Sequence, residues 1–268
     1  MQLLVGLALA AVIAYLAWLA GSLSRDGAIA AACVGTVVYG FGGWQSAALL
    51  LVFFVSSSAL SQAVRPRSGA SEDKYAKGSR RDAGQVLGNG AIAAAWVLIQ
   101  AATPESHWPW FGFAASLAAV TADTWATELG AFSAAAPRMI TNLRVRAAPG
   151  TSGAVSGLGT SAAVVGAAAI AGLASARLAL PFGFTFGVLV LGGVAGALFD
   201  SLLGASVQCV YRCQTDHMET EQHPLHACGS PTFYKRGWPW LNNDMVNAAC
   251  GAFGSLLACT LALAMGVR

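Results

Sequence analysis

The chain has 268 residues, 56% of them hydrophobic and only 10% charged, with a mean hydropathy of +0.60. Soluble domains carry about 25% charged residues, so composition excludes a soluble globular protein and points to an all-α, polytopic integral membrane protein. The net charge of +3 acquires meaning only when mapped onto loops, and no nucleic-acid partner is expected.

Taken in order, Leu3–Ala20 is the first apolar run. No basic segment precedes it, so a membrane span is expected there rather than a cleaved signal peptide. Residues 28–39 form a short, small-residue-rich second span that Gly40–Gly43 breaks. Residues 47–64 are the third, 86–102 the fourth and 111–129 the fifth. Residues 155–176, 182–207 and 245–265 complete a set of about eight spans, with seven and nine as the bounds. The chain reads as one transmembrane domain over 1–268. Its 31 glycines and alanine runs predict close helix packing through small residues, which also leaves self-association open.

Eight spans place the loops 21–27, 65–85, 131–153 and 209–242 on one face. Thirteen of the fifteen Lys and Arg residues fall there, against Arg177 and Arg268 on the other. The positive-inside rule makes the basic face cytoplasmic, in the inner or plasma membrane of a prokaryote.

The fifth span ends in TADTWATELG, residues 121–130, where Asp123 and Glu128 accompany Thr121, Thr124 and Thr127. An ionised carboxylate within a membrane costs several kcal/mol unless a cation, a pair or a water-filled cavity compensates it. Asp200 ends the seventh span, Asn243 and Asp244 begin the eighth, and Asp82 and Asn89 begin the fourth. These groups approach one depth beneath the basic loops. Asp123, Glu128, Asp200, Asn243 and Asp244 form a candidate Mg²⁺ set, because hard oxygen ligands suit that ion. A proton or sodium pathway and structural pairing with Arg80, Arg81 or Arg144 are the other readings.

Lys77, Arg80 and Arg81 run into the start of the fourth span, where arginine forks and free helix N–H groups can hold phosphate. They can equally anchor the chain at the lipid surface. The segment from Pro149 to Thr160 carries Thr151, Ser152 and Ser156 among glycines and is a candidate phosphate nest, against which Gly153 and Gly157 spell a packing motif. No P-loop motif occurs. Gln208 and Asn247 join the polar candidates. Loop 209–242 holds Cys209, Cys213, His217, His223, His226 and Cys228, but the spacing matches no common zinc finger. Reduced thiols or a substrate-handling loop are the preferred reading of residues 209–228, and zinc the lesser one.

The motifs KGSRRDAGQVLGNG, ADTWATELG, PGTSGAVSGLGT, FDSLLGASVQ and WLNNDMVN, read together, resemble the membrane family called domain of unknown function 92. The likeness covers about residues 80–247 and is carried by Arg81, Asp82, Asn89, Asp123, Glu128, Asp200 and Asn243. The family includes a plant phytyl-phosphate kinase. The resemblance therefore implies phosphorylation of an isoprenoid monophosphate to the diphosphate, with a nucleotide triphosphate such as CTP as co-substrate and Mg²⁺ as cofactor. Asp123, Glu128 and Arg81 are the expected catalytic residues. Lys77, Arg80, Asp82, Asn89, Thr124, Arg144, Thr151, Ser152, Ser156, Gln208 and Asn247 are the expected substrate or nucleotide contacts. A transporter of a phosphorylated or anionic solute, or a CTP-dependent cytidylyltransferase-like enzyme, remains the alternative.

Overall fold

The computed structural model describes residues 1–64, 80–177, 180–215, 217–226 and 228–268. The described residues form seven helices: α1 (Gln2–Leu19), α2 (Arg25–Val64), α3 (Ala83–Ala102), α4 (Trp108–Gly130), α5 (Gly157–Ser175), α6 (Phe182–Ser206) and α7 (Asn243–Ala264). The 40-residue α2 is broken at Gly43, whose φ of 72° and ψ of −170° are not helical. Only glycine adopts that conformation without a steric cost. Gln62, near the end of α2, donates to Ser22 Oγ just before its start, at 2.8 Å. The two arms, 25–42 and 44–64, therefore fold back beside each other. Counted this way, the described residues contain eight helical segments, in the order and at nearly the positions the apolar runs predict.

Two boundaries differ from expectation. The second segment is not thin, because Gly40 stays helical: a Cβ there would lie 2.4 Å from Leu3 Cδ2. The glycine serves the close approach of α1 and not a turn. The fourth segment begins at Ala83, since Asp82 accepts from Gln85 N and Gln85 Oε1 accepts from Asp82 N in a capping box. That arrangement satisfies two of the orphan N–H groups at a helix start.

Six of the helices are long and apolar enough to cross a membrane by length and composition. The exception is α4, the most enclosed of all, with every residue from Pro109 to Ala122 buried. Its neighbours α2, α3, α5, α6 and α7 surround it, so its outer face need not satisfy lipid. Small residues permit that enclosure. A Cβ on Gly193 would lie 2.9 Å from Ala118 Cβ, and one on Gly196 would lie 2.5 Å from Ala119 Cβ and 2.8 Å from Cys250 O. The Gly192–Gly196 pair is therefore packing, as the sequence suggests.

The all-α expectation holds for the bundle. Among the described residues, however, the segments 138–155 and 210–236 fold into two small antiparallel sheets. β1 (Arg138–Met139) pairs with β2 (Asn142–Arg146) and β3 (Ala154–Val155). β4 (Val210–Cys213) lies between β5 (Glu219–Thr220) and β6 (Thr232–Arg236). Both sheets sit at one end of the bundle, between α4 and α5 and between α6 and α7. The opposite end is tied by His107 N donating to Arg268 O at 2.7 Å.

Candidate functional site

Helix ends and the two loop sheets enclose a polar cavity of about 290 Å³. The last turns of α4 supply Asp123, Thr124, Thr127 and Glu128, and the end of α6 supplies Asp200 and Ser201. The first turns of α7 supply Asn243, Asp244 and Asn247. From the start of α3 come Gln85 and Asn89, preceded by Arg81, and from the second arm of α2 come Ser58, Ser61 and Gln62. The alternation of crossings explains the convergence: chain segments that turn at one end of the bundle bring carboxylates and amides from five helices to one depth.

Arg81 is placed by its main chain. Its N–H donates to Ser22 O at 3.0 Å and its carbonyl accepts from Ser24 N at 3.0 Å, clasping the α1–α2 turn to the start of α3. Its guanidinium lies over Phe53 and Phe54, 5.6 and 5.9 Å from the ring centres. Among the described residues it is the one basic side chain lining the cavity. Glu128 accepts a short hydrogen bond from Ser61, which ties α4 to the second arm of α2. Thr124 donates to Val120 O at 2.8 Å and Asn89 Nδ2 to Gln85 O at 2.7 Å; both still face the cavity.

The loop residues close it. Thr151, Ser152 and Ser156 all line the cavity, and Ser156 caps α5 by accepting from Gly159 N at 3.1 Å. The GxxxG alternative for this segment fails: Gly153 lies outside α5 with φ 80°, pressed against Ala205, while a Cβ on Gly157 would meet nothing. Ser152 Oγ donates to Gln208 Oε1 at 2.7 Å, and Gln208 Nε2 donates to Glu221 Oε1 at 2.6 Å. Gln208 thus bridges the two loops with both ends of its amide.

Glu221 is a cavity carboxylate that the sequence reading missed. It sits in a polar loop where nothing about its spacing distinguishes it from Glu219, and only the β4–β5 pairing brings it over the helix ends. Loss of water around it pushes its carboxyl from 4.5 up to about 7; Asp244 and Asp123 add repulsion, and the Gln208 hydrogen bond opposes the shift.

Three of the expected residues that the structure describes are not in the cavity lining. Arg80 is exposed and lies beside Gly21 at the α1–α2 turn. Asp82 takes the N-cap of α3. Arg144 stands on β2, which is exposed along its whole length. Lys77 lies outside the described residues. The remaining expected residues are gathered.

The carboxylates do not form a closed cage. Among the described residues, no three Asp or Glu oxygens meet within 4.8 Å of one another. Oδ2 of Asp200 is buried with no hydrogen-bond partner. Oxygen donors left partly unsatisfied around an open space suit Mg²⁺, which takes one or two carboxylates and completes its shell with water and phosphate.

A second cavity of about 290 Å³ runs between α1, α2 and α3, walled by residues such as Leu9, Ile13, Leu51 and Phe54. Arg81, Gln85 and Asn89 line both cavities. The apolar groove and the carboxylate cavity therefore meet at the start of α3.

The family model described as integral membrane protein DUF92 matches residues 8–255. An uncharacterized membrane protein of Methanocaldococcus jannaschii is 36% identical over 187 residues, covering 68% of this chain and 74% of the relative. Protein PGR of Arabidopsis thaliana is 30% identical over 77% of this chain and 79% of its own length. An uncharacterized membrane protein of Synechocystis is 26% identical over 84% and 77%. No solved structure matches.

Proposed function

The chain belongs to the integral membrane protein DUF92 family, and from that premise we propose that it is a membrane kinase. It transfers a phosphoryl group from a nucleotide, CTP or another triphosphate, to an isoprenoid monophosphate such as phytyl phosphate, giving the diphosphate. The observation that carries this reading is the junction of an apolar groove with a carboxylate-lined cavity at Arg81, Gln85 and Asn89. Such a shape suits an amphiphile: a hydrocarbon tail among α1, α2 and α3, and an anionic head at the cavity mouth.

The residues divide the work by charge. Arg81 meets the acceptor phosphate, where guanidinium nitrogens can fork onto two oxygens. Asp123 and Asp200, with Asn243 and Asp244 beside them, hold Mg²⁺. When bound, that ion offsets charge on the donor phosphates. Thr151, Ser152 and Ser156 flank the nucleotide, Thr151 and Ser156 offering it hydroxyl donors while the Ser152 hydroxyl stays on Gln208. An acceptor phosphate oxygen attacks the terminal phosphorus of the donor. The new P–O bond forms as the bond to the leaving diphosphate breaks, releasing the nucleoside diphosphate. The acceptor is already an anion, so no strong general base is needed. The thirteen-to-two division of basic residues supports a cytoplasmic position for the site, which impermeant labelling of cysteines introduced into loops 131–153 and 209–242 of intact cells tests.

The decisive assay incubates purified protein with labelled nucleotide, Mg²⁺ and a panel of prenyl monophosphates. Formation of prenyl diphosphate and nucleoside diphosphate is the expected result. A nucleotide-linked lipid would replace the kinase with a cytidylyltransferase-like reaction. Absent turnover, together with solute uptake into proteoliposomes, would replace it with transport.

A further inference from the structure

Outside the cavity, one cluster of side chains stands apart. The β4–β5–β6 sheet covers the loop end of the bundle, and its turns bring Cys213, His226 and Cys228 together. Cys213 pairs with Thr232 across β4 and β6. The next segment doubles back, with His226 N donating to Ser230 O at 2.9 Å and Gly229 N to His226 O at 2.8 Å. Gly229 takes φ 81° in that turn, which returns His226 and Cys228 to the end of β4. Thr215 and Ser230 link the two turns through their hydroxyls at 2.7 Å.

We propose that Cys213, His226 and Cys228 bind a zinc ion that pins this sheet over the cavity. The ligand atoms of all three lie within 4.8 Å of one another. The Cys213 and Cys228 sulfurs are 3.6 Å apart, and His226 Nδ1 is 3.2 Å from Cys228 Sγ. Two thiolates on a tetrahedral zinc, each at about 2.3 Å, stand about 3.8 Å apart. The observed sulfur separation is close to that and far from the ~2.05 Å of a disulfide bond. Cys213 and His226 are buried while Cys228 is exposed, so the fourth position opens to solvent and takes water. Each thiol loses its proton on ligation, and Zn²⁺ with two thiolates and neutral imidazole is uncharged.

The sequence spacing conceals this arrangement, because Cys213 and His226 are thirteen positions apart and only the β4–β6 register joins them. The consequence for the rest of the molecule is positional. Gln208 and Glu221 flank β4 and β5 and face the cavity, so the ion fixes the segment that presents them.

The test uses the full chain, purified in detergent without a polyhistidine tag and dialysed against metal-free buffer after zinc loading. Mass-spectrometric metal analysis should find about one zinc per chain in the wild type and in Cys33→Ser, and less than a tenth of that in Cys213→Ser and Cys228→Ser. Cys228 is exposed, so its variant is the one that should fold normally, judged by gel filtration and circular dichroism. Co²⁺ loading of the wild type should give thiolate-to-cobalt charge-transfer absorption. Removing zinc with a chelator should speed tryptic cleavage at Arg212, Lys235 and Arg236 severalfold. Substoichiometric zinc in the loaded wild type, zinc retained by Cys228→Ser, a Cys213–Cys228 disulfide in the purified protein, or cleavage indifferent to chelation would each overturn the proposal.

Discussion

Arg81→Ala separates the roles of cation and scaffold more sharply than any other substitution. The clasp between the α1–α2 turn and the start of α3 uses Arg81 N and O, which alanine keeps. The structural loss includes the packing of the guanidinium over Phe53 and Phe54, about 0.5–1 kcal/mol for contacts of this kind. The functional loss is read separately from stability, because no other described basic residue lines the cavity. A charge-assisted hydrogen bond contributes about 1.5–3 kcal/mol, which is roughly ten- to a hundredfold in kcat/KM for the prenyl phosphate. Arg80→Ala is the control: one residue away but exposed and off the cavity, it should leave kcat/KM within about twofold. The assay is steady-state phosphoryl transfer with the acceptor varied at saturating nucleotide and Mg²⁺, alongside thermal melting of each variant. Equal losses in Arg80→Ala and Arg81→Ala, or unchanged turnover in a folded Arg81→Ala protein, would refute the assignment of Arg81 to the phosphate.

Asp123→Asn should abolish turnover in a protein that still folds, and Asp200→Asn should raise the Mg²⁺ concentration needed for half-maximal rate; if Asp200→Asn responds to metal as the wild type does, that residue is not a ligand. Glu221 carries a pH signature. Its folded-state pKa of about 7 lies above the ordinary 4.5, so its contribution to stability is complete below about 4.5 and is lost as pH rises through 7. Melting temperatures measured in chelator should therefore fall between pH 5 and pH 8, and Glu221→Gln should flatten that slope; an identical slope in the variant would place the titration elsewhere. Gly196→Val forces side-chain atoms into Ala119 and the Cys250 carbonyl and should cost about 1–3 kcal/mol, read as a lowered melting temperature in detergent. A melting temperature equal to the wild type would show that α6 can move away from α4 without loss.

The sequence alone determined the crossing pattern and with it the depth of the site. Apolar runs long enough to cross a bilayer must alternate direction. Asp123, Asp200 and Asp244, each near a span end on the same side, were therefore bound to share a level. Gly43 shows the limit of that logic: a GFGG stretch announces a break, but Gly40 turned out to serve the contact with Leu3, a distinction that depends on a neighbouring helix. Tertiary structure alone decided which polar groups at that level face one another. Arg80 and Arg81 are adjacent in sequence, yet a two-bond main-chain clasp to Ser22 and Ser24 turns one toward the cavity and leaves the other in the open. Asp82 looks like its neighbours Asp123 and Asp200, but the first N–H groups of α3 claim it. Glu221, and the trio of Cys213, His226 and Cys228, reach their positions through strand pairing in a loop with no periodic signal. Span counting reads a one-dimensional property, hydrophobicity along the chain. The register of β4 with β5 and β6 is set by hydrogen bonds between residues distant in sequence, and only the folded chain contains it.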